Sequence, residues 1–574
     1  MKDPSQNPIA LVALVLITGC SSSSPPQEGA TTAAQPGGSD TSASWLVDVT
    51  GEVGLDFVHE AGASGEFRLP EIMGSGAALL DADGDGDLDA YLISGRQDLD
   101  AKGGASVNRL YLQNADGKFE DATSASGLGD DGYGMGVAVA DIDNDGDLDV
   151  YLTNYGPDRL YRNRGDGTFE DVTSEAGIDV GGWSASATFL DYDRDGYLDL
   201  YVARYVRYSP LKECMDATGR ADYCQPQVFQ PARDVLLHND GDGHFTDVSA
   251  RAAILGGAAP GLGVVADDFD DDGWVDVFVA NDGAANFLWV NNGDGSFREN
   301  AVVRGVAYNL AGRAEAGMGV ACADFNDDGR PDLFLTHLFG ETNTLYLNRG
   351  DAGFEDMTGT SGIAAPSLGM TGFGSVALDL ELDGDLDLIV ANGRVTRGTG
   401  RAQGTVAPPW DVYAERNQVF LNDGTGRFGV AEAATAAFTA PEEVSRGLAV
   451  GDIDDDGDPD LLLSNTGSAA RVYRNDAPRS GSWLTVTARD PRYRRDAIGA
   501  RVTLITGDVR RTRTISRGFS YLTSSPPLAY FNVPAGVVPD ELHVRWPDGS
   551  EETFPVEGVD RRVTLVRGAG QGAS

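Results

Sequence analysis

The sequence predicts an all-β protein: a seven-bladed β-propeller over residues 45–476, followed by a small β-rich domain over residues 477–568. Three observations carry that expectation. A single nine-residue acidic pattern recurs seven times in one frame. Glycine, at 75 of 574 residues, is about twice its usual share, which favours many turns and short strands over long helices. The charge is lopsided as well: 43 Lys plus Arg against 89 Asp plus Glu give a formal net charge of −46, while 41% hydrophobic residues still suffice for a core. Such a chain suits neither nucleic acid nor an anionic lipid surface as a main partner. Five His and four Cys argue against a His-rich zinc site or a dense disulfide scaffold.

Residues 1–20 read as a targeting signal. Ile9–Thr18 is a short apolar run, well under the roughly 20 residues of a spanning helix and of the length of a signal-peptide core. Leu16-Ile17-Thr18-Gly19-Cys20 resembles a bacterial lipoprotein signal, which implies that Cys20 is lipidated and becomes the mature N-terminus. Residues 21–44 hold no large apolar side chain and read as a flexible tether. The expected location is the periplasmic face or the cell surface, with the chain anchored to a membrane without spanning it.

The seven acidic segments begin at Asp81, Asp141, Asp191, Asp268, Asp324, Asp379 and Asp452 and share Asp-x-Asp-x-Asp-Gly-x-x-Asp, with one substitution at position three in two of them. Their starts lie 60, 50, 77, 56, 55 and 73 residues apart, which suits a four-stranded blade with variable loops better than a shorter solenoid coil. Each follows a Gly-rich apolar run such as 134–140 and precedes a β-rich run such as 148–152. Then come a segment like 159–163, a Gly-Asp-Gly turn and a strand like 169–173, making four short strands per unit. Units three and seven carry Ser184/Ser186 and Ser445/Gly447 where the others have Gly-x-Gly. Residues 45–50 look like a fourth strand standing ahead of the first unit, and the seventh unit stops near Asn475 without one. The N-terminal strand is therefore expected to complete the last blade and close the ring, which removes exposed sheet edges.

Carboxylates at alternating positions, with Gly sixth and Asp ninth, gather hard oxygens round one point. Oxygen donors in a flexible loop suit Ca²⁺, whereas thiolate- and imidazole-seeking metals want the Cys or His that these loops lack. The candidate ligands are side chains at positions one, three, five and nine and the backbone carbonyl at position seven, for up to seven ions. In that order the first loop offers Asp81, Asp83, Asp85, Asp89 and the carbonyl of Asp87, and the second Asp141, Asp143, Asp145, Asp149 and the carbonyl of Asp147. The third offers Asp191, Asp193, Asp195, Asp199 and Tyr197, and the fourth Asp268, Asp270, Asp272, Asp276 and Trp274. The fifth offers Asp324, Asn326, Asp328, Asp332 and Arg330. The sixth offers Asp379, Glu381, Asp383, Asp387 and Asp385, and the seventh Asp452, Asp454, Asp456, Asp460 and Asp458. An EF-hand begins alike but needs Glu at position twelve and flanking helices. Position twelve here is Leu92, Leu152, Val202, Val279, Leu335, Val390 and Leu463, so that reading fails. Like charges crowd an empty loop, and cation binding is expected to stabilise the fold.

These repeats resemble the FG-GAP/VCBS class of integrin α-subunit propellers and many bacterial surface proteins. Behind them stand Ala497-Ile498-Gly499-Ala500-Arg501-Val502, Arg517-Gly518-Phe519-Ser520-Tyr521-Leu522 and Trp546-Pro547-Asp548-Gly549. These resemble the ASPIC/UnbV domain of the cartilage acidic protein 1-like family. The resemblance covers residues 45–568 and implies a Ca²⁺-binding, secreted or surface-attached protein with no established reaction.

Residues 477–574 hold 14 Arg against 10 Asp or Glu, so the rest of the chain stands at −50. Two uses of that basic charge stay open: docking on the acidic ring or an anionic glycan, and plain solvation of outer strands. Residues 569–574 read as a tail. Within a blade the acidic loop and the Gly-Asp-Gly turn share one face, and the connection between strands two and three lies on the other. All three long insertions, 94–107, 204–233 and 392–416, fall at that connection, so their face is the expected site for an unidentified protein or glycan partner. Cys214 and Cys224, with nine residues between them in an exported chain, are expected to form a local disulfide, and Cys322 to be a buried free thiol.

Arg164-Gly165-Asp166 and Arg349-Gly350-Asp351 spell an integrin-recognised tripeptide, but both occupy the turn between strands three and four, where other units carry Ala, Asp or Asn for the Arg. No Gly-x-Ser-x-Gly, His-Glu-x-x-His or Gly-x-x-x-x-Gly-Lys occurs, and no enzyme is expected. The function expected is that of a calcium-binding, membrane-anchored extracytoplasmic propeller acting as a protein or glycan binding or adhesion module. The alternative is a propeller-type polysaccharide lyase or glycosidase using paired carboxylates.

Overall fold

A computed structural model of the chain describes residues 44–96, 99, 108–210, 212–398 and 406–572. The signal with Cys20, residues 21–43 of the tether, most of the 94–107 insertion and residues 399–405 lie outside the described residues. Strands dominate, no described α-helix exceeds four residues, and none is long and apolar enough to cross a membrane.

Seven units of four antiparallel strands repeat along the chain, and the sheet of the first takes a fifth, parallel strand, Thr523–Ser524. In the second, Gly134–Ala140, Asp149–Asn154, Arg159–Asn163 and Phe169–Asp171 pair in that order. In every unit the ninth residue of the acidic pattern is the first residue of the second strand. Innermost strands neighbour one another from unit to unit and the last neighbours the first, giving a closed, propeller-like circuit. Leu46–Asp48 pairs with Arg471–Asn475 and is the fourth strand of the seventh sheet.

A sheet lying between two neighbours buries both faces, which is why its strands read as near-continuous apolar runs. Val137 and Val139 pack with Leu80 and Tyr91 of unit one, while Ala138 and Ala140 pack with Phe189 and Leu200 of unit three. Equivalent clusters fill all seven junctions. Each fully buried Val, Leu or Phe contributes about 1.5–3 kcal/mol. An amide also stitches every junction. Asn163, Asn239, Asn291, Asn348, Asn422 and Asn475 each end a third strand and donate Nδ2 to the position-two carbonyl of a neighbouring acidic loop. Gln113 takes that place in unit one and donates to Ile453 of unit seven at 3.0 Å, closing the circuit.

The C-terminal β segment forms two sheets over one core. Gly481–Asp490 lies between Ala529–Pro534 and, in parallel, Arg561–Val566. Gln571–Gly572 pairs with Glu551–Pro555, so part of the expected tail is an edge strand whose backbone extends a sheet. Residues 516–526 leave this segment and run along the axis of the circuit. There Tyr521 and Leu522 are buried, Thr523–Ser524 pairs parallel with Ala77 and Ala78 of unit one, and Ser520 bridges Val320 of unit five. The Gly-x-Gly slots admit this backbone: a Cβ on Gly76 would stand 2.5 Å from the Leu522 carbonyl oxygen. The two departures from Gly-x-Gly still form first strands, each with a register shift like those of units two, four and six, and have particular tasks. Ser186 accepts a hydrogen bond from the Leu522 amide at 3.0 Å. Arg446, between Ser445 and Gly447, is fully buried, lies 3.9 Å over the Phe373 ring, and donates to the Ile72 and Gly393 carbonyls.

On the opposite face the described parts of the 204–233 and 392–416 insertions fold over the axis instead of standing free. Tyr205, Tyr223, Phe229, Trp410 and Tyr413 join Trp183 and Tyr521 in one cluster. Asp222 joins the two insertions, accepting from the Tyr413 hydroxyl at 2.6 Å and the Arg397 amide at 3.0 Å. Cys214 and Cys224 are joined as a disulfide with Cα atoms 5.2 Å apart. Cys322 is a free thiol as expected but only half-buried as a residue, and desolvation of its thiol pushes it well above the ordinary range.

Candidate metal centres

The acidic loops share one set of internal bonds. The position-one carboxylate accepts amide hydrogens further round the loop: Asp141 from Asp145 and Gly146 at 3.2 and 3.0 Å, Asp324 from Asp328 and Gly329 at 3.0 and 2.7 Å. The position-five carboxylate accepts from the position-seven amide, as Asp145 does from Asp147 at 3.0 Å. Position nine is a staple: Asp149 accepts from Ile142 in the loop at 2.9 Å and from Asn163 on the third strand at 2.8 Å. Two positions require left-handed backbone. The sixth is always Gly, at φ between 83° and 108°. The fourth is Gly84, Asn144, Arg194, Asp271, Asp327, Leu382 or Asp455, at φ between 52° and 78°. Sequence reasoning missed this second demand because five residue types meet it.

These bonds leave oxygens in the loops without partners. Asp83, Asp143, Asp193, Asp270 and Glu381, all at position three, each bury a carboxylate oxygen that meets no hydrogen-bond donor. Asn326, in loop five, instead accepts from the Asp328 amide at 3.2 Å. Oxygens of Asp81, Asp83 and Asp85 lie within 4.8 Å of one another, as do those of Asp191, Asp193 and Asp195. In loops two and four the same grouping takes positions one, three and nine: Asp141, Asp143 and Asp149, and Asp268, Asp270 and Asp276. Burial, reinforced by neighbouring carboxylates, pushes Asp141 up to about 6 and Asp191 and Asp379 up to about 7. It pushes Asp149, Asp276, Asp332 and Asp460 well above the usual carboxylate range. In loop six burial, with the charge of Glu381 next, does the same to Asp387. An all-oxygen donor set with unpartnered buried oxygens and mutually repelling charges fits a hard divalent cation such as Ca²⁺.

At position seven, Tyr197 stands against Gly241, Trp274 lies 3.9 Å beneath the Arg194 guanidinium, and Arg330 pairs with Asp328 at 2.8 Å. Such side chains leave only a backbone carbonyl to offer. Position twelve lies inside the second strand of every unit and is fully buried.

Outside the shared pattern the loops differ. The C-terminal segment sets arginines on several of them, so part of its basic charge docks on the ring. Arg562 stands 3.0 Å from Asp452 and pairs with Asp455. Arg545 stands 3.3 Å from Asp268 and 2.8 Å from Asp271, and Arg511 stands 3.3 Å from Asp327. Arg479 pairs with Asp456 and Asp458 at 2.7 and 3.0 Å. Loop three gains a residue the nine-residue pattern does not contain. His238, from the third strand, places Nδ1 2.9 Å from Asp199 and 3.5 Å from Asp193, and the bond to Asp199 pushes it up to about 9. The two Arg-Gly-Asp tripeptides stand in turns, where Arg164 pairs with Glu170 at 3.0 Å and Arg349 with Glu355 at 2.9 Å.

A closed circuit of four-stranded sheets, each turning through an acidic Gly-bearing loop, defines a repeat-built β protein of propeller-like form. The FG-GAP-like repeat family matches residues 81–152, 141–202, 215–279, 268–335, 324–390 and 406–463, and the chain belongs to it. The ASPIC and UnbV family matches residues 490–572. The chain is similar to cartilage acidic protein 1 of Homo sapiens, 28% identical over 337 residues that make 56% of this chain and 45% of that one. It is similar to the Mus musculus protein at 30% over 342 residues, 56% of this chain and 46% of that one. It thus spans a little under half the length of these curated relatives. Among solved structures it is similar to an Agrocybe aegerita lectin that recognises non-reducing terminal N-acetylglucosamine, with a TM-score of 0.37 and 19% identity over 69% of this chain and 86% of that one.

Proposed function

We propose that this chain is a seven-bladed β-propeller with a small C-terminal β domain, that its acidic loops hold up to seven Ca²⁺ ions, and that it is a binding or adhesion module for a protein or glycan rather than an enzyme. The observation that carries the metal reading is the buried, unpartnered position-three oxygen that recurs in five loops. Positions one, five and nine spend oxygens on backbone amides and so hold the loop in shape before any ion arrives, while position three keeps an oxygen uncommitted. When bound, Ca²⁺ would neutralise crowded carboxylates and tie the turn to the second strand. Thermal unfolding of the full chain with Ca²⁺ and with excess EGTA is the test, and identical midpoints would sink the reading.

The module is proposed to work outside the cytoplasm, held to a bacterial membrane through an acylated Cys20. Loss of membrane association in Cys20→Ala is the expected outcome. The face bearing the insertions is proposed for the partner. In support, Phe339 and Leu368 remain 55% and 48% exposed there, with the Arg394 guanidinium 4.5 Å over the Phe339 ring. A glycan panel read for both binding and product release separates this reading from catalysis, since release of any product would replace it.

A further inference from the structure

Between loop one and the C-terminal segment lies a cleft of about 430 Å³. That is within the range of about 300–1,000 Å³ typical of small-molecule sites. One wall is loop one itself, at Asp81, Gly84 and Gly86. The facing wall carries Arg489, Arg517 and Arg562, with Thr487 and Thr564 on adjacent strands, their hydroxyls 3.1 Å apart. Leu80, Leu88 and the run Pro526-Pro527-Leu528 add an apolar lining.

The charges in this cleft are unevenly committed. Arg562 is held by Asp452 and Asp455. Arg489 is half-exposed, comes within 4.0 Å of Asp496 and donates Nη2 to the Arg494 carbonyl at 3.2 Å, so no carboxylate lies within hydrogen-bond distance of it. Arg517, whose side chain is 9% exposed, pairs with Asp496 at 3.2 Å through Nη2, while its Nη1 has no hydrogen-bond partner. Against these three arginines stand Asp81, Asp147 and Asp496, so the lining is formally balanced until a divalent ion enters loop one and makes it net positive. At loops four and seven arginines sit directly on the position-one carboxylates. At loop one they stand back across open space.

We propose that this cleft binds a carboxylate-bearing, polyhydroxylated molecule: a sugar acid, either free or as one residue of a polysaccharide. Arg489 and Arg517 take the carboxylate, the two threonines take ring hydroxyls, and the apolar lining takes the C–H face of the ring. A bare inorganic anion would use the arginines and leave the threonines and the apolar lining idle. The proposal rests on the reading of loop one as a cation site.

The test is calorimetric titration of the full chain, in about 1–5 mM Ca²⁺, with D-glucuronate, D-glucose and a glucuronate-bearing oligosaccharide. Saturable binding of glucuronate but not glucose is expected. Arg489→Glu and Thr564→Trp, both at exposed positions, should each weaken it about tenfold or more without moving the Ca²⁺-dependent unfolding midpoint. Tighter binding of the oligosaccharide than of the monomer supports a polysaccharide source, and weaker binding supports a free acid. Equal binding of glucose, or unchanged affinity in both variants, overturns the proposal. If Ca²⁺ raises the midpoint but no sugar acid binds, the cleft proposal alone falls. If the midpoint ignores Ca²⁺, the metal reading falls first.

Discussion

Loops one and seven spell nearly the same nine residues, DADGDGDLD and DIDDDGDPD, yet the fold sets them in opposite surroundings. In loop seven Arg562 reaches Asp452, Arg479 reaches Asp456 and Asp458, and Arg474 stands 4.0 Å from Asp454. In loop one no ion pair reaches Asp81, Asp83, Asp85, Asp87 or Asp89 among the described residues. The motif sets the donor geometry, but what stands outside it sets how much the loop depends on an added cation. Loop seven is part-neutralised by the chain itself; loop one is not, and under the proposed metal reading that neutralisation falls to the ion.

The largest expected effect comes from treating all loops alike. A site with free ion about a hundredfold above its Kd gains about 2.7 kcal/mol, so chelating several at once should lower the unfolding midpoint more than any single substitution. Calorimetry in EGTA should also show a pH signature. Asp379 and Asp191 are raised from 3.8 to about 7 in the fold, chiefly by burial. Between about pH 4 and 7 the folded state therefore binds more protons than the unfolded chain, and metal-free stability falls as pH rises through that window. Saturating Ca²⁺ should remove the decline, because the ion then replaces the proton.

Single substitutions sharpen the contrast by their sign. In EGTA, Asp452→Asn should destabilise by about 1–3 kcal/mol, since it takes a charged partner from Arg562. Asp81→Asn in EGTA should be neutral or stabilising, because it thins a cluster of like charges. In Ca²⁺ both should destabilise. The same sign for both in EGTA, read by urea unfolding, would break the comparison. A smaller effect is expected from Arg562→Gln: about 1 kcal/mol at low salt, shrinking as salt is raised, because the arginine side chain is 41% exposed. Of similar size is Gln113→Ala, which removes the amide donated to the carbonyl of Ile453 and should cost about 1 kcal/mol with or without Ca²⁺ and at any salt concentration. A strong Ca²⁺ dependence there would mean that the stitch and the ion site are one unit.

Much of this was legible in the residues. The acidic pattern marks the turn into every second strand, the apolar position twelve rules out an EF-hand, and Leu46–Asp48 pairs with the strand at Arg471–Asn475. Legibility fails where a role depends on a partner distant in sequence. His238 enters loop three from 39 residues beyond Asp199, and nothing local to either announces it. Arg562 and Asp452 are 110 residues apart, and only the docked surfaces match them. The junction amides left a readable signal, because Asn ends the third strand in the same frame of six units after an apolar run, but only the fold shows the carbonyl it meets. The axial segment left almost none. Residues 520–524 carry no periodicity, and their burial comes from six surrounding units rather than from their own pattern.

That axial segment also dictates an order of events. Leu46 must find Asn475, and Leu522 must then settle among innermost strands that belong to units made hundreds of residues earlier. These are contacts of very long sequence separation, which form slowly. A chain emerging from its N-terminus therefore exposes unpaired strand edges until Arg471–Asn475 is delivered, and for that interval it needs shielding from its own copies. A segment made after all seven units is the keystone of the first ones.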